Sequence, residues 1–323
     1  MRPKKSATAV AAAVAAALLS QGAGQPATAQ PTIAAPSRSF SVGNLHVERF
    51  GQGSPALILI PGLSMGAWTW TGQIATFSAD HAVYAVTIDG FDGTPTAPPP
   101  IIAKADAAIV QLVRQENLVK PVLVGHSIGG HVALRLVEEN ADLFACAVLV
   151  DVMPYFPPPT PGQSPAQREQ GIEQLADGIQ TAPDWLYEEQ TRSMIAGMVT
   201  DNREADTVAQ HSLTSDRATL AAAMTEMSTE DLRPHLSDIA VPVLVVAPVS
   251  QQAPYMNAAL RALSPDQLNA TIHDWYQSQY VGAKMVTVET IANSKHFIML
   301  DQPDALNAAI KSFLLALAPA AKP

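Results

Sequence analysis

Eight short apolar runs, rich in Val, Ile and Leu, recur along this chain, and amphipathic stretches separate most of them. Residues 40–42 and 45–50 flank Gly43-Asn44 and predict an antiparallel hairpin. The runs at 56–60, 82–88, 121–124, 145–150 and 241–247 are apolar at nearly every position. A strand buried on both faces reads that way. A further strand is expected over 284–289. Between them, Ile102, Ala105, Ile109, Leu112 and Val113 fall on one stripe of a helix over 101–117. Helices are also expected over 67–78, 130–139 and 303–317, and helical pattern runs through 256–280. Strands alternating with helices predict a doubly wound, mostly parallel sheet. In such a sheet ligands gather outside the carboxyl ends of the strands.

The alternation breaks after residue 153. From there to about 234 no strand pattern stands out. The stretch opens on Pro154 and Pro157–Pro159, then shows helical stripes such as Ile172, Leu175 and Ile179. It reads as a helical insertion lying over the sheet.

The chemistry concentrates in one turn. Gly125-His126-Ser127-Ile128-Gly129 follows the 121–124 strand and leads into a helix. Gly-x-Ser-x-Gly between strand and helix is the nucleophile-elbow pattern. At the apex of so tight a turn the serine is strained, and its neighbours need to lack side-chain bulk. The hydroxyl then projects above the sheet edge at a helix N-terminus, where free N–H groups stabilise negative charge. A plain glycine-rich turn is the bland alternative; the flanking strand and helix count against it.

Composition sets outer bounds. The 323 residues are 48% hydrophobic and 15% charged, enough for a sizeable core. A net charge of −10, with no basic cluster after the first five residues, argues against a nucleic-acid partner. Arg2, Lys4 and Lys5, an apolar stretch over 7–19 and Ala27-Thr28-Ala29 resemble a cleavable export leader over 1–29. That run is too short to span a bilayer, so no stable membrane insertion is expected after cleavage, and the product is expected to be periplasmic or secreted. Residues 30–37 read as a flexible lead-in. Cys146 is the sole cysteine, so no internal disulfide forms; it reads as a small buried hydrophobe. No His/Cys spacing suggests a metal, and no cofactor is expected.

With these motifs in order, the chain resembles the α/β-hydrolase superfamily over residues 40–318. Ile60-Pro61-Gly62-Leu63 with Trp68 is similar to that family's oxyanion loop, and Gly90-Phe91-Asp92-Gly93 to its loop after the fourth strand. Val241–Val246 is similar to its seventh strand and Ser294-Lys295-His296-Phe297 to its catalytic-histidine loop. The resemblance implies an eight-stranded core over 38–153 and 235–323, with a helical cap over 154–234. It also implies Ser127 as nucleophile, His296 as general base, and the N–H groups of Leu63 and Ile128 as oxyanion donors.

Three departures stand out. Pro61-Gly62 replaces a common His-Gly. Asp92 stands where glycine is common, and Ala247–Gln252 after the seventh strand holds no carboxylate. Some members, certain haloalkane dehalogenases among them, place the triad acid after the sixth strand instead. Asp151 occupies that place, with Asp274 as the alternative. A Ser nucleophile argues against dehalogenase and epoxide-hydrolase chemistry, whose relatives use Asp there. The expected activity is hydrolysis of a small-molecule carboxylic ester through an acyl-enzyme. An amidase or aminopeptidase, with Glu188 or Glu189 binding the amine, stays open, and so does a non-catalytic binding protein. In the cap, Trp185, Tyr187, Met194 and Met198 are candidates to line an apolar acyl pocket. The oligomeric state stays open.

Overall fold

A computed structural model describes residues 33–158, 162–253 and 256–317. The leader reading over 1–29 lies outside the described residues. Among the described residues, eight strands form a single sheet: β1 (Arg38–Val42), β2 (Leu45–Phe50), β3 (Leu57–Ile60), β4 (Val83–Ile88), β5 (Val122–His126), β6 (Cys146–Val150), β7 (Val243–Val249) and β8 (Val286–Ala292). Their order is β1-β2-β4-β3-β5-β6-β7-β8. β2 pairs antiparallel with β1 and β4; the other pairs are parallel.

Alternation along each strand builds two cores. Ile58 and Ile60 face one side, with Leu123, Leu149 and Val245. Leu57 and Leu59 face the other, with Val124, Val150 and Val246. The first layer is covered by α2 (Ile101–Gln115), α3 (Ile128–Glu139) and α9 (Pro265–Gln279). The second is covered by α1 (Thr71–Phe77) and α11 (Pro303–Leu317). With both faces dry, the central strands carry apolar residues at nearly every position, as the sequence pattern indicated.

β8 starts and ends later than the 284–289 expected. It is an edge strand, half-exposed along its length, so apolar runs mark its ends poorly. The helix expected over 67–78 begins as a 3₁₀ turn, Ala67–Trp70, before α1.

Between β6 and β7 the described residues form four α-helices, α4 (Pro165–Thr181), α5 (Asp184–Met198), α6 (Asn202–Leu213) and α7 (Arg217–Thr229), and a 3₁₀ turn, Arg233–Asp238. Ser164, Asp201 and Asp216 cap the starts of α4, α6 and α7, each accepting backbone N–H groups of the first turn. Leu220 and Ala223 of α7 join the core layer of α2 and α3. Ile195 of α5 and Val208 of α6 join the opposite one. Short α8 (Ala258–Arg261) follows β7, and α10 (Ile298–Asp301) follows β8.

Candidate active site

The turn between β5 and α3 has the strain its sequence implied. Ser127 sits at φ 52° and ψ −122°, a conformation that non-glycine residues adopt rarely. Its neighbours leave no room for side chains. A Cβ on Gly125 would lie 2.3 Å from Gly129 O, and one on Gly129 would lie 2.4 Å from Ile60 O and Pro61 O. Ser127 O accepts from the N–H groups of Gly130 and His131, at 2.9 and 3.0 Å, so the serine is the N-cap of α3. Ile128 N–H is then the first of the helix, one of the donors a helix leaves without an internal acceptor. The 61–66 loop lies alongside. A Cβ on Gly62 would stand 3.4 Å from Ser127 Cβ, so Leu63 follows at the elbow.

His296 reaches the site on the loop after β8. Its Nδ1 lies 2.6 Å from Asp151 Oδ2. A carboxylate oxygen only accepts, so the proton of this bond is assigned to Nδ1 and the ring's lone pair to Nε2. Asp151 directly follows β6 in a left-handed conformation, φ 51°, with its N–H bonded to Val246 O. The structure thus brings together His296 and the acid expected after the sixth strand. Asp274, the alternative, is an exposed residue of α9 paired with its neighbour His273. The second oxygen of Asp151 accepts the phenol O–H of Tyr276, from α9.

The histidine loop is pinned on several sides. His126, beside the serine, donates Nε2–H to His296 O at 2.9 Å, and the two rings lie 4.4 Å apart. Burial, reinforced by His296, holds the His126 imidazole well below its ordinary pKa, so it is a neutral structural group. Lys295 Nζ donates to Val199 O at 2.7 Å, at the end of α5, where a cation suits the helix dipole. Asp301 accepts from Lys295 N at 2.7 Å and Thr200 N at 2.8 Å.

The cap meets the core through Asp92 and Trp68 and through three residues the sequence did not mark, His211, Ser64 and Ser212. Asp92 Oδ1 bonds His211 Nδ1 of α6, and His211 stacks on Trp68 at 4.2 Å. Asp92 takes a glycine-favouring φ of 49°, which explains why glycine suits its position; here the carboxylate serves as the cap contact. Ser64 Oγ lies 2.9 Å from Ser212 Oγ. Among the cap residues expected to line an acyl pocket, Trp185 and Met194 are instead 67% and 52% exposed on α5. Tyr187 packs beneath the Arg217 guanidinium, and Met198 packs against the second core. α5 presents a weak apolar stripe, so sequence alone did not orient these side chains. Glu188 pairs with Arg192 on the surface of the same helix. Among the described residues, no group of three His, Cys, Asp or Glu side chains is placed to hold a metal ion.

Comparison with known proteins agrees with this architecture. A model described as "Alpha/beta hydrolase family" matches residues 57–309. 3-Oxoadipate enol-lactonase 2 of Acinetobacter baylyi is 27% identical over 84% of this chain and 92% of its own. Lipase LipV of Mycobacterium tuberculosis is 28% identical over 46% of this chain, and the match spans about half of that protein, 53%. Among solved structures, a thermophilic esterase from Thermogutta terrifontis superposes with a TM-score of 0.69 at 17% identity, covering 88% of this chain and all 100% of its own. The enol-lactonase from Burkholderia xenovorans gives 0.67 at 16%, covering 86% and 100%.

Proposed function

We propose, starting from the fact that this chain belongs to the alpha/beta hydrolase family, that it is a serine hydrolase cleaving carboxylic esters through an acyl-enzyme. The observation that carries the reading is the Asp151–His296 bond behind a strained serine elbow. That pair fixes the imidazole tautomer and favours the imidazolium that forms when His296 takes a proton.

In this reading Ser127 Oγ attacks the ester carbonyl carbon while His296 Nε2 removes its proton. The carbonyl oxygen becomes an oxyanion between the N–H groups of Leu63 and Ile128, and losing one such donor costs about 3 kcal/mol. The C–O bond to the alcohol then breaks, and the leaving oxygen takes the proton from His296. Water, deprotonated by His296, attacks the acyl carbon, and Ser127 leaves with that proton as the acid is released. The enol-lactonase relative, matched over most of this chain, supports including lactones, which are internal esters, in the substrate class. We propose as well that residues 1–29 export the enzyme; N-terminal sequencing of the secreted or periplasmic product tests that.

A fluorophosphonate probe, a p-nitrophenyl ester series and amino-acid anilides test the activity. Labelling and ester turnover are expected in the wild type and absent in Ser127→Ala. Preferential anilide cleavage would favour an amidase instead. An unlabelled wild type that turns over neither substrate would favour a binding protein on this scaffold.

A further inference from the structure

Placing a triad acid on β6 leaves a problem that the chain solves with one helix. Asp151 is in a left-handed conformation, its carboxyl only 11% exposed, and one oxygen is committed to His296. A carboxylate in such a spot needs a donor on its other oxygen, or it pays a desolvation cost and is free to rotate. α9 supplies that donor. Tyr276 gives its phenol O–H to Asp151 Oδ1. Tyr280, four residues on and so on the same helical face, donates to Val152 O at 2.9 Å. Both tyrosines are buried, at 3% and 1% exposure, and the short N-terminal half of α9 carries Leu268 and Ile272 into the same core.

Resting on the triad reading above, we propose that Tyr276 is a positioning residue for Asp151: it locks the carboxylate so that Oδ2 faces His296, and it tunes how strongly that carboxylate holds the imidazolium. The titratable groups around the Asp151–His296 pair are His126 of β5, whose ring lies against that of His296, Tyr276 of α9 and Tyr280 at the end of that helix. Burial and the charge of Asp151 hold the Tyr280 phenol above its ordinary pKa, so it stays a neutral donor. A hydrogen bond to a carboxylate stabilises its charge and weakens its pull on a neighbouring proton. Removing the Tyr276 hydroxyl therefore concentrates the charge of Asp151 on His296. The imidazolium becomes more stable, and the histidine becomes basic at a higher pH.

The test follows the rate of Ser127 phosphonylation by a fluorophosphonate probe across pH 4.5–9, beside kcat and KM on p-nitrophenyl acetate. Tyr276→Phe is expected to move the acidic limb upward by about half a unit or more and to lower the plateau rate about tenfold, with KM little changed. Tyr280→Phe keeps the packing and removes a bond to backbone only; its acidic limb is expected to stay at the wild-type position. Asp151→Asn is expected to be nearly inactive. A Tyr276→Phe enzyme with the wild-type limb and rate, beside an inactive Asp151→Asn, overturns the role of Tyr276 alone. The same holds if both tyrosine variants move the limb equally. Full activity in Asp151→Asn overturns the triad assignment, and the tyrosine's role with it.

Discussion

His211 Nδ1 lies 2.6 Å from Asp92 Oδ1, and this bond ties a cap helix to the loop after β4. Gly66 makes the space: a Cβ there would stand 2.1 Å from Asp92 Oδ2. Burial pushes the Asp92 carboxyl up, and His211 pulls it back. His211→Ala is expected to leave the fold intact but loosen α6. With the imidazole 40% exposed, the loss is about 1 kcal/mol. Hydrogen exchange checks this. Faster exchange should be confined to 202–213, and unchanged exchange there would mean the bond does not hold the cap.

Gly62→Ala should abolish most activity without unfolding the protein. The new Cβ would lie 2.7 Å from His126 Nδ1 and 3.0 Å from its Cε1. His126 is buried and bonded to His296 O, so the 61–66 loop is the part that moves. Displacing the Leu63 N–H is expected to lower kcat about 100-fold. A wild-type kcat would show that the loop absorbs the methyl elsewhere.

His126 sets an acid limit on stability. Its folded-state pKa lies well below the ordinary 6.5, so the unfolded chain binds a proton that the folded chain does not. The His126 contribution is full above pH 6.5 and is lost as pH falls below it, at about 1.4 kcal/mol per pH unit. His126→Gln, whose amide can still donate to His296 O, should flatten that loss. Denaturant titrations at pH 7.5 and 5.5 measure it; an equal acid loss in both proteins would exclude His126 as the source.

The start of α2 depends on the cap. Pro100 precedes it and offers no side-chain cap. Instead Glu226 of α7 accepts the N–H of Ile101 at 2.8 Å and that of Ile102 at 2.8 Å. Glu226→Ala is expected to cost about 1–2 kcal/mol in urea denaturation, the range of a lost N-terminal cap. No change in midpoint would mean that water replaces the carboxylate at no cost.

Cys146 should be inert in the native protein. It is fully buried on β6, and burial pushes its thiol up to about 12. The thiolate is the reactive form. A disulfide reagent is expected to titrate one thiol in denaturant and none before unfolding. Rapid native labelling would contradict the packing of β6.

What the residues settled by themselves was local. Apolar runs placed β3 to β6 closely because both faces of those strands are dry and nearly every position is apolar. Gly125, Ser127 and Gly129 marked the elbow because its steric demands fall within five consecutive residues. His296 was legible because the surrounding loop motif is contiguous.

Pairings across the chain were decided by the tertiary structure. Asp151 and Asp274 both fit the order nucleophile, acid, base; only the path of β6 beside β7 and β8 brings one of them, 145 residues away, to His296. Tyr276 and Tyr280 share a helical spacing that signals one face, yet nothing in that spacing says the face meets β6. Asp92 and His211 stand 119 residues apart with no shared motif. Trp185 and Met194 suited a pocket by type and lie at the surface. Propensity and periodicity act over a few residues. A contact between distant residues depends on how the whole sheet and its cap pack, and no short stretch of sequence encodes that.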